Sequence, residues 1–155
     1  MRWRLLLLGM AVLVTVLLFQ VYAAGPAVTV YKDPSCGCCA LWVKHLEANG
    51  FEVTVHNVGD IAEYKQRHGV PSDAQSCHTA VVDGYMIEGH VPAAEIHRLL
   101  KERPQAKGLA VPGMPIGSPG MESGTIPNQN YRVLLFKSNG ETSVYSEYLA
   151  QKRLK

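Results

Sequence analysis

The chain is organised around a cluster of thiols within its N-terminal third. Three of its four cysteines fall within four positions, in the segment DPSCGCC at residues 33–39. Thiolates packed this closely either exchange disulfides or bind a soft metal ion. The segment follows a short apolar run and opens a pattern of helical period, so it predicts a turn from a strand into a helix.

The first residues predict export. A basic start, MRWR, precedes an uncharged apolar run over 5–19, and Val21 and Ala23 are small residues at the −3 and −1 positions of a signal-peptidase site. At about 15 residues the run is shorter than the roughly 20 that a spanning helix needs. We expect residues 1–23 to be a cleaved signal peptide, with an uncleaved anchor as the alternative and as the sole expected membrane contact. Both predict a periplasmic domain, where disulfides persist.

Composition narrows the classes of partner. The chain has 155 residues, 47% of them hydrophobic and 18% charged, which is enough for one domain with attachments. Its net charge is +2, and the basic residues are scattered rather than gathered in a stripe with aromatic residues. The sequence therefore predicts no nucleic-acid partner.

Residues 26–105 predict a small α/β domain. Strands are expected at 27–32 and 51–58, helices at 36–49 (capped by Ser35), 61–68 (capped by Asp60) and 93–103, and a hairpin at 79–88 around Asp83-Gly84. The order is β-α-β-α-β-β-α, and the first two strands should be parallel. With cysteines at the first strand-to-helix turn, this order is typical of a thioredoxin-like fold.

The remainder of the chain differs in kind. Residues 106–130 hold so many glycines and prolines that we expect neither a strand nor a helix there. A loop of this length in a compact chain is usually functional or disordered. Residues 131–137 and 141–148, joined by a turn, predict a terminal hairpin, and 151–155 a frayed tail.

The cysteine turn allows more than one chemistry. Cys36 and Cys39 have the Cys-x-x-Cys spacing, and a helix N-terminus favours their thiolates. Cys38 lies between them and would interfere with clean dithiol exchange, whereas three thiolates on one turn suit copper(I). A structural disulfide with one buried free thiol, and a zinc site completed by Cys77, are the alternatives.

Three further residues are candidates for the same site. Cys77 and His78 precede the third strand, and in a thioredoxin-like fold the start of that strand faces the cysteine turn. True thioredoxins have a proline at this place. This sequence has no proline at positions 77–79. His90 follows the fourth strand, which returns to the same side. The alternatives are a disulfide between Cys77 and the triplet, and capping or surface roles for both histidines. The remaining histidines are expected at the surface: His45, His56, His68 and His97.

Two methionines make a second set. Met114 and Met121 lie in the glycine- and proline-rich loop, which has little core to fill. Thioether sulfur is a ligand for copper(I), and such a loop can cover the cysteine turn as a lid. Plain loop packing is the alternative. Met86 alternates into a strand and is expected in the core.

Four motifs together resemble the CopG-like family of exported copper-resistance proteins. The resemblance covers about residues 28–124 and implies a thioredoxin-like domain whose C-terminal extension helps to bind metal. It also implies a copper site on the cysteine motif, with a multinuclear thiolate-bridged cluster as one form, and a role in interconverting copper(I) and copper(II). The motifs are DPSCGCC at 33–39, SCHT at 76–79, EGHVP at 88–92, and GLAVPGMP with GSPGME at 108–122.

The sequence therefore predicts an exported copper-binding protein of copper homeostasis. Cys36, Cys38, Cys39 and Cys77 would be the thiolate ligands. Met114 and Met121 would cover the site, and His90 and His78 would complete it. Whether this is enzymatic turnover, as in a copper oxidoreductase, is left open. The alternatives are a thiol–disulfide oxidoreductase using Cys36 and Cys39, and a copper chaperone that delivers its metal to an efflux system.

Overall fold

The computed structural model describes residues 24–154, and this part of the chain forms three α-helices and one eight-stranded sheet. The predicted mixed α/β class is confirmed. The strands are β1 (Ala27–Lys32), β2 (Glu52–Asn57), β3 (His78–Val82), β4 (Tyr85–Glu88), β5 (Gly108–Ala110), β6 (Tyr131–Phe136), β7 (Thr142–Leu149) and β8 (Lys152–Arg153). The helices are α1 (Gly37–Ala48), α2 (Ile61–Arg67) and α3 (Ala93–Glu102), and Ser72–Ala74 forms a 3₁₀ turn.

The sheet runs in the order β2-β1-β3-β4-β5-β6-β7-β8. β1 and β2 are parallel, as expected for two strands joined by a crossover helix, with Val28 opposite Val53. β3 is antiparallel to both of its neighbours, β1 and β4. This arrangement brings the C-terminal end of β1, the start of β3 and the end of β4 to one edge of the sheet, with Lys32 opposite His78 and Thr79 opposite Glu88.

Local signals in the sequence explain several element ends. The Asp60 carboxylate accepts a hydrogen bond from the Glu63 backbone N–H at 2.9 Å, so it caps α2 as predicted. Asp83 and Gly84 both have positive φ, 46° and 83°, as a tight two-residue hairpin turn requires. Asn49 is the C-cap residue of α1, and Gly50 follows it in the left-handed conformation, with φ of 84°.

The core lies between the sheet and the two longer helices. Apolar residues of α1 and α3 pack on alternating residues of the central strands, and burying each such side chain stabilises the fold by about 1.5–3 kcal/mol. Met86 is also buried, as predicted. The fully buried members include Trp42, Leu46, Ile96 and Leu99 from the helices and Val30, Ala80, Ile87 and Leu109 from the strands.

Two expectations for the C-terminal part are wrong. β5 lies within the loop that was expected to hold no strand, because β4 and β6 supply backbone partners on both sides and bury Leu109 completely. The expected frayed tail contains β8, in which Lys152 pairs with Leu149. Pairing with β4 and β6 overrides weak local propensity in β5. β8 instead pairs with the adjacent strand β7 across a turn at Ala150 and Gln151, both with positive φ.

A buried acid fastens the terminal hairpin to α3. The Glu95 carboxylate is 1% exposed and accepts a hydrogen bond from the Tyr148 hydroxyl at 2.9 Å. Arg98 and Arg153 approach the same carboxylate at 3.2 Å and 2.6 Å. These partners compensate for the loss of water around a buried charge.

The expected signal segment, 1–23, lies outside the described residues. Among residues 24–154, none of the helices combines the length and the apolar character that crossing a membrane requires.

A substitution at Gly108 tests the close contact between β4 and β5. A Cβ at this position would overlap the backbone of Met86 in β4, whereas a Cβ at Gly124 meets no neighbouring atom within 4 Å. We expect Gly108→Ala to lower the free energy of unfolding by about 3 kcal/mol in urea titration. Gly124→Ala, the matched control, should change it by less than about 0.5 kcal/mol. Equal stability of the two variants would contradict this close β4–β5 contact.

Candidate metal centre

The cysteine turn forms the first wall of the site. Cys36 is the N-cap residue of α1 and makes no side-chain capping bond. The expected cap by Ser35 is wrong: the Asp33 carboxylate instead accepts hydrogen bonds from the Ser35 backbone N–H at 2.7 Å and from its hydroxyl at 2.5 Å. These bonds lower the pKa of Asp33. The Asp33 side chain therefore organises the turn that presents the cysteines.

The four cysteines converge. Cys36 and Cys39 form a disulfide with a Cα–Cα distance of 5.4 Å, and Cys38 Sγ lies 3.5 Å from Cys36 Sγ. Cys77 Sγ lies 3.6 Å from Cys39 Sγ. All four sulfur atoms are within 4.8 Å of one another. In the described part of the chain, Cys38 and Cys77 are the free thiols.

Two imidazoles extend the sulfur group on the side of Cys77. His90 Nε2 lies 3.1 Å and His78 Nδ1 3.2 Å from Cys77 Sγ. His90 Nδ1–H donates to the Pro119 carbonyl at 2.8 Å, and in a neutral ring this leaves the Nε2 lone pair directed at Cys77. The structure thus brings together six of the eight predicted site residues.

Burial keeps these groups uncharged in the metal-free protein. It lowers the pKa of His78 well below its ordinary value, and a second positive charge beside His90, Lys65 and Lys32 would also be unfavourable. Burial also lowers the pKa of His90. The pKa of the Cys77 thiol is raised to about 11, first by burial and then by the neighbouring Cys38. A metal ion binding here would have to displace the Cys77 proton.

The donor set fits a soft cation. It combines up to four sulfurs with two neutral imidazoles, and such ligands suit copper, zinc or iron–sulfur clusters rather than magnesium or calcium. His78 is completely buried, and within residues 24–154 its Nε2 atom has no hydrogen-bond partner. A buried polar atom left in this way is uncommon and often marks a functional site.

The loop after β5 covers the cysteine turn. The Gly113 N–H donates to the Gln75 carbonyl at 3.2 Å, and the Ser76 hydroxyl donates to the Gly113 carbonyl. Further along, Gly120 has φ of 83°, and a Cβ there would approach the Trp42 nitrogen to 2.7 Å and the Cys38 carbonyl oxygen to 2.9 Å. The glycine therefore allows the loop to lie directly on the first turns of α1.

The two methionines of this loop differ in exposure. Met114 is 51% exposed, and Met121 is half-buried. The Met121 N–H donates to the Ser118 carbonyl at 2.8 Å, and its carbonyl accepts from Gly117 N–H at 3.0 Å, which closes a turn next to Pro119. Both methionines lie in the loop that covers the cysteine turn, and their role as ligands stays a prediction.

The remaining histidines lie outside the cluster, but one of them differs from the surface role expected. His45 Nε2 accepts a hydrogen bond from the Ala93 N–H at 3.1 Å, which joins α1 to the start of α3, and burial lowers its pKa. His56 and His97 stack on the rings of Tyr31 and Phe51, and the His68 ring lies tilted against that of Tyr64 with the centroids 4.1 Å apart.

No sequence pattern indicates the charged residues that are buried behind the site. Lys65 and Glu88 form an ion pair, with Nζ and Oε1 2.5 Å apart, and both are almost fully buried. Burial raises the pKa of Glu88 and lowers that of Lys65, because both charged forms lose water, while their mutual attraction opposes both shifts. A charged residue on a short helix is ordinarily exposed, so only the packing reveals this pair.

The fold and the site define a class: a mixed α/β protein whose thiols and imidazoles form a group able to hold a metal ion. A family model described as a protein of unknown function, DUF411, matches residues 74–121. No curated protein matches the chain.

Two solved structures are similar over most of the chain. A copper resistance protein, copG, in its form 2 is 51% identical, with a match that covers 81% of this chain and 99% of that one at a TM-score of 0.76. Form 1 is 52% identical, with 80% and 98% covered and a TM-score of 0.75. The chain belongs to the CopG-like family of copper-resistance proteins.

The buried histidines predict a loss of stability in acid. In the unfolded chain a histidine titrates near pH 6.5, whereas burial keeps His78 neutral in the folded protein to much lower pH. The unfolded state therefore binds more protons as the pH falls, and His78 should cost the metal-free protein about 2 kcal/mol between pH 7 and 5. Urea titrations at both pH values measure it. His78→Asn should remove most of that difference; an unchanged difference would contradict the assignment.

Proposed function

We propose that this protein binds copper as an exported component of copper resistance. One observation carries the proposal: four cysteine sulfurs lie within 4.8 Å of one another, and two neutral imidazoles adjoin the fourth of them. Thiolates select copper(I), and imidazoles serve both oxidation states. The similar solved structures are of a copper resistance protein, which supports copper as the cargo.

The fold supports a finer classification as thioredoxin-like. In the sheet β2-β1-β3-β4, strands β1, β2 and β4 run in one direction and β3 runs in the other. The cysteines stand at the turn from β1 into α1. We place β5 to β8, with the loop over the site, as an extension of this unit. The apolar start of the chain supports export to the periplasm.

The thiols also supply a route for changing the oxidation state of copper. Closing the Cys36–Cys39 disulfide from two thiols releases two electrons and two protons, and two copper(II) ions take up two electrons to become copper(I). The reverse reaction would oxidise copper(I) and restore the thiols. Cys38 and Cys77 stay available as ligands in the disulfide form. The protein would thus bind copper and interconvert its two oxidation states. In a thiolate-bridged cluster the sulfurs of Cys38 and Cys77 would be the shared ligands, and His78 and His90 would each serve a single copper ion.

Replacement of Cys77 tests the proposed metal centre, because Cys77 belongs to both the sulfur group and the imidazole group. The reduced protein is titrated with copper(I) against a competing chelator under anaerobic conditions. We expect tight retention by the wild type and at least about tenfold weaker binding, or about 1.4 kcal/mol, for Cys77→Ser. Ser138→Ala, in the turn after β6, is the control and should bind as the wild type does. No copper retained by the wild-type protein would contradict the function.

The methionines of the covering loop are proposed to contribute thioether ligands. Met114→Leu combined with Met121→Leu keeps the volume and removes both sulfurs, so copper(I) affinity should fall while the urea midpoint stays within experimental error. Met86→Leu, which changes a methionine buried in the core, is the control. Unchanged copper affinity in the double variant would reduce the loop to a cover without ligands.

The disulfide at the start of α1 favours a second candidate, a thiol–disulfide oxidoreductase that uses Cys36 and Cys39. Reduction of insulin disulfides by the metal-free protein, together with no retention of copper, would establish this activity instead. A copper chaperone is a further outcome: transfer of copper(I) to a copper efflux system with no change in oxidation state would support delivery without redox turnover.

A further inference from the structure

The buried ion pair behind Cys77 has no part in the copper chemistry described above. Lys65 of α2 is 2% exposed, Glu88 of β4 is fully buried, and the other residues of α2 are at least partly exposed. An ion pair in this setting usually stabilises a fold no better than apolar residues of the same size would. Its presence so close to the site therefore calls for another reason.

The pair is bonded to both sides of the segment that carries two candidate ligands. Glu88 Oε1 accepts from the Ser76 N–H at 2.7 Å, and Glu88 Oε2 accepts from the Thr79 hydroxyl at 2.6 Å. Lys65 Nζ donates to the same hydroxyl at 2.8 Å. Cys77 and His78 lie between these two anchored residues, so the network holds the segment 76–79 against β4 at both of its ends.

The chain just after β4 carries His90, the third candidate ligand in the group of Cys77, His78 and His90. His90 follows Glu88 by two positions, and between them the Gly89 N–H donates to the His78 carbonyl at 3.0 Å. Gly89 has φ of 70°, and a Cβ there would approach Ser76 Cβ to 2.5 Å. The carboxylate of Glu88 therefore fixes the segment that carries Cys77 and His78 relative to the strand end that carries His90.

We propose that Lys65 and Glu88 are positioning residues of the metal centre, which hold the segment 76–79 so that Cys77 and His78 face His90. This inference rests on the copper-binding function proposed above. Neither residue is assigned as a ligand. Metal–ligand distances tolerate only about 0.2 Å of displacement, and loss of an outer partner typically weakens metal binding by about 10–100-fold. By holding the segment 76–79 in place, the pair would keep the ligand atoms of Cys77 and His78 within that tolerance.

The test removes both charges together, so that no lone charge is left buried. The reduced protein carrying Lys65→Met and Glu88→Gln is compared with the wild type in two measurements. Copper(I) affinity is determined against a competing chelator, and cobalt(II) serves as a spectroscopic probe of thiolate ligation. We expect copper(I) binding to weaken by about 10–100-fold and the sulfur-to-cobalt charge-transfer band to shift or lose intensity.

A matched pair at Thr79 repeats the test if the double variant does not fold. Thr79→Val keeps the shape and removes the hydroxyl that bridges Lys65 and Glu88, whereas Thr79→Ser keeps the hydroxyl. The valine variant should show the weaker copper binding and the changed cobalt spectrum, and the serine variant should restore both. Equal behaviour of the two would overturn the positioning role.

A stability control separates positioning from general weakening of the fold. Leu99→Ala opens a cavity in the core beneath α3 and leaves the segment 76–79 unchanged. It should bind copper(I) as the wild type does, with the same cobalt spectrum. An equal loss of affinity in Leu99→Ala, or wild-type affinity and spectrum in the double variant, would overturn the inference while leaving copper binding intact. Failure of the wild type to bind copper would instead overturn the proposed function, and this inference with it.

Discussion

The position of the candidate metal centre relative to the hydrophobic core depends on the buried indole of Trp42. Its Nε1–H donates to the Val91 carbonyl at 2.9 Å, its ring centroid lies 4.4 Å from that of His78, and its backbone nitrogen lies beneath Gly120. Trp42 stands four residues after Cys38 on α1, so the two residues share one face of the helix. A side chain of this size cannot move without disturbing a close-packed core. The Trp42 side chain therefore connects the hydrophobic core to the helix that carries the cysteine turn.

The metal-free site holds groups that a core would normally exclude. Cys77 has a raised pKa, and a lysine–glutamate pair lies behind it. Within residues 24–154, His78 has a ring nitrogen without a hydrogen-bond partner. Each of these costs free energy in an apolar surrounding unless it has a partner. A copper ion bound to sulfur and nitrogen, as proposed, would offset part of that cost, since metal binding and folding stability are linked. The stability of the surrounding fold offsets the rest of this free-energy cost. The contacts of Glu95, which join α3 to the terminal hairpin, contribute to that stability.

Much of the architecture follows from local sequence. The strand before the cysteines, the Asp60 cap and the Asp83-Gly84 turn are determined by residues within a few positions of one another. β5 could not be predicted in this way, because Gly108 is a poor strand former that is fixed by Met86 on β4 and Phe136 on β6. The Ser35 cap failed for a local reason: the Asp33 side chain bonds Ser35 itself, in competition with the helix.

The sequence by itself determined which groups form the candidate metal centre. The spacing of Cys36, Cys38 and Cys39 places three thiols on one turn, and the predicted order of strands brings Cys77, His78 and His90 to the same edge. Only the tertiary structure decided how these groups are held: the Pro119 carbonyl that fixes the His90 tautomer, and the Lys65–Glu88 pair that anchors the segment around Cys77. These two contacts join residues that are 29 and 23 positions apart in the chain. Periodicity and spacing report on neighbours along the chain, and they carry no information about such pairs.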